Sequence, residues 1–63
     1  KPKCKLVGEN GNIYNLIAIA RRTLKDNGMR DKAEELQKRI ITNHEAHSYD
    51  QALQIIMEYV DAE

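Results

Sequence analysis

The sequence predicts a mainly α-helical domain of three helices with a minor β component, a short N-terminal strand paired with the C-terminal tail. Two observations lead there. Ile13, Leu16, Ile17, Ala20 and Leu24 recur at three- and four-residue steps, as do Met29, Ala33, Leu36 and Ile40, and then Tyr49, Ala52, Leu53, Ile56 and Val60. That spacing puts each set on one face of a helix. The remaining apolar run, Cys4 to Val7, is short and is followed by Gly8-Glu9-Asn10-Gly11, turn chemistry that separates an extended stretch from the helices.

An N-terminal strand needs a partner, because unpaired backbone groups at a buried edge are costly. The tail Tyr59 to Ala62 is the first choice within the chain, and a neighbouring molecule is the alternative. A hairpin through Asn10-Gly11 that pairs Lys5–Val7 with Ile13 and Tyr14 ranks second, because it takes Ile13 out of its helical stripe. Asn12 has the side chain of an N-cap, and Gly28 can take the left-handed conformation that closes a helix, so the first helix spans Ile13 to Asn27. The second runs from Arg30 or Asp31 to Thr42, with Asp31 and Glu34 near its start. Only a few residues join these two, which makes them a tight helical hairpin or a helix-turn-helix corner. Asn43 to His47 is polar and without period, hence a loop. Ser48 stands three residues before Gln51, the spacing of a capping box, and opens the third helix. There Tyr49, Ala52, Leu53, Ile56 and Val60 point inward while Ile55, Met57 and Tyr59 widen the apolar arc.

The chain has 63 residues, enough for one domain, residues 1–63, and one thin core. A deep, dry pocket with converging polar groups is hard to build from so few side chains, so the expectation is a protein that is not an enzyme and carries no cofactor. Cys4 is the single cysteine. It can form no internal disulfide and belongs to no CxxC motif, which points to a reducing compartment. No apolar run approaches the roughly 20 residues of a membrane span and no basic-then-apolar leader is present, so the expectation is a cytoplasmic protein that does not enter a membrane.

Net charge is zero, but the charges are unevenly placed. Residues 1–32 hold eight basic and three acidic side chains, a surplus of +5; residues 33–63 hold two basic and seven acidic, a surplus of −5. In a domain this small the two fields largely cancel, since few surface charges lie far beyond a Debye length of about 8–10 Å.

Candidate chemistry is sparse. His44 and His47 are three residues apart, but a structural metal site wants four ligands, usually with thiolates, and they are read as exposed loop histidines with no metal. Ser48 is accounted for as a cap, and Cys4, between Lys3 and Lys5, as a small apolar residue facing inward. The glycine-containing turn before the first helix lacks both the GxGxxG and the P-loop spacing. One side of the first helix carries Tyr14, Ala18, Arg21 and Lys25 with Arg22 close by, a set that can grip phosphates and stack on a base. Asp31, Glu34 and Glu35 on the next helix oppose that use, so a solvated flank is the first reading and a nucleic-acid or acidic-partner contact at Tyr14, Arg21, Arg22 and Lys25 the second.

The string Gly8-Glu9-Asn10-Gly11-Asn12-Ile13-Tyr14, followed by Ala20, Arg22, Leu24 and Asn27-Gly28, and later by Ser48-Tyr49-Asp50 with Leu53 and Tyr59-Val60-Asp61, resembles a group of short bacterial proteins found among conjugative-element and phage-like genes. These carry a G-x-D/N-G-N-x-F/Y start and a G/S-Y-D-x-x-L segment near the end. The shared positions are caps, turns and core residues, so they specify fold and transfer no catalytic role. The resemblance implies an accessory role in mobile DNA.

The leading expectation is therefore a non-enzymatic interaction module that binds a protein partner or a second copy of itself through Ile55, Met57 and Tyr59 or through an exposed strand edge. The alternative is a small nucleic-acid-binding regulator using the basic flank of the first helix.

Overall fold

A computed structural model describes residues 1–6 and 11–63; the turn expected at Gly8 to Asn10 lies outside the described residues. Along the chain come β1 (Lys3–Cys4), α1 (Ile13–Asp26), α2 (Arg30–Gln37), a π-helical segment (Lys38–Thr42), α3 (Tyr49–Ile56) and β2 (Asp61–Ala62). The fold is mainly helical with a two-stranded sheet made from the two ends of the chain.

Each helix boundary has a local cause. Asn12 is extended, and its side-chain oxygen accepts a hydrogen bond from the Tyr14 amide at 2.8 Å, satisfying one of the amides that a first turn leaves unpaired. At the far end Gly28 adopts φ +73°, the Met29 amide donates to the Leu24 carbonyl at 2.8 Å and the Gly28 amide to the Lys25 carbonyl at 3.1 Å. This is the Schellman arrangement, and it returns the chain directly into α2. The second periodic segment does reach Thr42, but only its first part is α-helical. From Lys38 the turn widens, and the Asn43 amide donates to the carbonyl of Lys38 five residues back. His44 follows with φ 53°, an uncommon left-handed conformation for a residue with a Cβ.

The capping box at α3 takes a shifted form. Ser48 Oγ accepts from the Gln51 amide at 3.1 Å as expected, whereas the Gln51 side chain reaches past Ser48 to accept from the amide of His47 at 2.7 Å. The helix ends early, at Ile56, in turns closed by hydrogen bonds from the Glu58 and Tyr59 amides to the carbonyls of Ile55 and Ile56.

β1 and β2 pair in parallel, Lys3 opposite Asp61 and Cys4 opposite Ala62. The ladder continues on both sides, with Asp61 donating to Pro2, Glu63 to Cys4 and Leu6 to Glu63 at 2.8–2.9 Å. Parallel neighbours require a long crossover, and the helices supply it. Every stripe residue expected from the first two helices lies in the core or against it: Leu16, Ile17, Ala20, Leu24, Ala33, Leu36 and Ile40 are buried, and Ile13 and Met29 pack on them. Cys4 and Leu6 from the N-terminal segment and Ala52, Ile55, Ile56, Tyr59 and Val60 from the C-terminal part complete it. No described helix is long and apolar enough to cross a membrane.

The third apolar set departs from expectation in three places. Ile55 and Tyr59, proposed as an interaction surface, are buried, and Tyr49, expected inside, is half exposed. The early end of α3 accounts for Tyr59: the turns after Ile56 carry Tyr59 and Val60 into the core, while Ile55 is buried on the helix itself. Tyr49, at the first turn, is left at the rim.

Candidate interaction surface

The two helix caps also place the side chains that stand out from the surface. Tyr14 and Tyr49 each sit in the first turn of a helix, held by Asn12 and Ser48 respectively. With Met57 they are the exposed large apolar residues among those described, at 68%, 48% and 44% exposure. All three belong to one connected band. Tyr14 and Tyr49 flank a cleft of about 370 Å³ whose floor is Ile13, Ile17, Ile40 and Ala52 and whose far wall is the loop carrying His44, Ala46 and His47. Tyr49 also borders a shallower apolar recess of about 220 Å³ with Leu6, Leu16, Leu53, Met57 and Ala62. A Cβ placed on Gly11 would stand 4.0 Å from the Tyr49 hydroxyl, which shows how closely the start of α1 approaches this ring. Tyr49 is thus the ridge between two depressions.

On the other side of α3 the polar groups are tightly engaged. Arg39, from the π segment, donates from Nε to Glu45 at 3.0 Å and from Nη1 to Glu58 at 2.9 Å and to the Tyr59 hydroxyl at 3.3 Å. Its guanidinium carbon lies 5.8 Å from the centre of the Tyr59 ring, within reach of a cation–π contact. The Tyr59 hydroxyl in turn donates to Glu35 Oε2 at 2.5 Å. Arg39 therefore fastens α2, the loop before α3 and the segment after it. The pairing with Arg39 holds the Glu58 carboxyl below its ordinary range, and burial, then the bond to Glu35, raises the Tyr59 hydroxyl above its ordinary value.

The basic flank of α1 borders two depressions. Arg21 turns into a recess of about 610 Å³ shared with Asp31, Glu34 and Glu35 of α2, while Tyr14 belongs to the cleft on the side of α3. Arg22 and Lys25 remain exposed. The recess that Arg21 borders is thus shared with three carboxylates. The thiol of Cys4 is buried and accepts a hydrogen bond from Thr23 Oγ1 at 3.4 Å. His44 and His47 are exposed on the cleft rim, and among the described residues no three His, Cys, Asp or Glu side chains gather around a point that could hold a metal ion.

Sequence reasoning did not connect Tyr14 with Tyr49, because it assigned one to a basic stripe and the other to the core. The available signal was their shared position just after a capping residue: side chains in a first turn lie at the end of a helix, where burial depends on what the preceding loop covers. Searches of protein-family models, curated proteins and solved structures find no match to this chain.

Proposed function

We propose that this chain is a non-enzymatic interaction module that docks a protein partner on the face of Tyr14, Tyr49, Leu53 and Met57. The observation that carries this reading is the gathering of all the exposed large apolar side chains of the described residues into that band. Single exposed apolar residues are ordinary on any protein, whereas a contiguous patch around recesses marks a place of contact. The polar groups on the other side of α3 are already paired within the chain and offer less to a partner. An accessory role in mobile DNA, implied by the resemblance, suits such an adaptor.

Affinity capture from the source cells tests the reading. The unmodified chain should recover a partner in near-equal amount, and a Tyr49→Ser, Met57→Lys double variant of unchanged circular dichroism should lose it. Equal recovery by both, or recovery by neither together with a strictly monomeric sedimentation profile, overturns it. If the partner is a second copy, sedimentation reports a dimer that the double variant abolishes.

A further inference from the structure

We infer that the cleft between α1, the π segment and α3 is an anchor pocket for one uncharged aromatic side chain, Trp or Tyr, carried on an extended or helical segment of the partner. The inference rests on the docking reading above and names the chemistry that would recognise this face. Size is the first support: about 370 Å³ lies at the lower end of ligand-sized pockets, room for a large side chain and not for an extended ligand. The lining is the second. Among the described residues no Asp, Glu, Lys or Arg borders the cleft, so a charged anchor would lose its hydration and meet no opposite charge from them. An apolar floor of isoleucines under two tyrosine rings and two imidazoles favours a ring over an aliphatic chain, because aromatic groups gain from edge and face contacts beyond the area they bury.

The third support is the unused hydrogen-bonding capacity at the rim. Among the described residues, neither the His44 nor the His47 imidazole has a partner within the chain, and the Ser48 hydroxyl accepts from the Gln51 amide while its own proton makes no bond there. Donors and acceptors at the rim of an apolar floor match a ring with one polar tip, an indole N–H or a phenol O–H. The loop that presents them is held in place, with the Glu45 amide donating to the Arg39 carbonyl at 3.0 Å, the Glu45 carboxylate held by Arg39 and the His47 amide held by Gln51. A wall already in position loses little freedom when an anchor enters.

A random-peptide display selection on the folded chain tests this, followed by titration of the selected peptides against three proteins: the unmodified chain, Ala46→Trp, which fills the cleft from its loop wall, and Met57→Lys, which alters only the neighbouring recess. Selected peptides should share a Trp or Tyr, lose at least tenfold in affinity when that residue becomes Ala, and lose at least tenfold on Ala46→Trp with less loss on Met57→Lys. Peptides that bind the band without an aromatic residue, or that bind Ala46→Trp undiminished, overturn the anchor pocket and leave the docking reading standing. Amide shifts in an NMR titration separate the two failures, since no peptide-induced change anywhere on the band removes the docking reading itself.

Discussion

Tyr59 and Tyr49 stand at the two ends of the α3 region, and the chain treats them differently. Tyr59 is 8% exposed, with its ring under Arg39 and its hydroxyl on Glu35. Tyr49 is 48% exposed, between two depressions. One side of α3 spends its polar and aromatic groups on holding the fold. The other leaves apolar surface in water, which costs stability in a chain too small to have much in reserve. Where a small domain tolerates such a patch, the patch is the first place to look for a contact, and substitutions on the two sides should separate stability from binding.

The largest effect should come from the core that both sides share. Leu36 is fully buried between the helices, and Leu36→Ala removes its contacts and leaves a cavity, at a cost of about 3 kcal/mol. For a domain of this length that is a large part of a stability of roughly 3–9 kcal/mol, so urea unfolding should move to a much lower midpoint. A shift of less than about 1 kcal/mol would mean that the helices do not meet as described.

On the closed side, Arg39→Ala removes the link among α2, the loop and the segment after α3. Exposed ion pairs are worth little, but this guanidinium is half-buried and also covers the Tyr59 ring, so a loss of about 1–2 kcal/mol is expected. Thermal melting should fall by roughly 5–10 °C. Arg39→Lys should recover little of it, because one ammonium cannot face Glu45 and Glu58 with the planar fork of a guanidinium.

A pH titration reads the same side more finely. Burial and the Glu35 bond raise the Tyr59 hydroxyl above its ordinary 10.0, so above that value the folded state holds a proton that the unfolded state has released. The contribution is fully present below the unfolded value and is lost as pH rises through the folded one. Glu58 acts in the opposite direction: its lowered value contributes stability present above the ordinary 4.5 and lost as pH falls through the folded value. Absorbance at the phenolate band in a Tyr14→Phe, Tyr49→Phe variant isolates Tyr59, and titration at or below its ordinary value would contradict the geometry.

How far the sequence could be read follows the same division. Helices α1 and α2 were legible because their stripes, the Asn12 cap and the Gly28 closure are all local signals, and the pairing of the two ends followed from the need of a lone strand for a partner. Arg39 gave no signal, since its partners Glu45, Glu58 and Tyr59 are brought together only by the tertiary fold. Tyr49, Ile55 and Tyr59 depart from what the apolar stripe predicts for a related reason. A stripe of apolar residues shows which face is greasy, but the point where α3 stops decides where Tyr59 goes, and the loop before α3 decides how far Tyr49 is covered. The early stop at Ile56 is set by turns that apolar periodicity does not encode. The π turn at Lys38–Thr42 lies equally outside what a 3.6-residue period can report.

The smallest effects on stability are expected on the open side, where they discriminate best. Tyr49→Ser and Met57→Lys each remove apolar surface that is already about half in water, and the backbone at both positions continues its hydrogen bonding unchanged. Each should shift unfolding by about 0.5 kcal/mol or less, and Met57→Lys has the added feature of placing a charge at the edge of the recess with Leu53 and Leu16, where a partner would have to desolvate it. Stability retained with binding lost assigns the band to a partner. Stability lost by as much as Arg39→Ala would instead show that Tyr49 and Met57 hold the fold as Tyr59 does, and the contrast between the two sides of α3 would then carry no functional meaning.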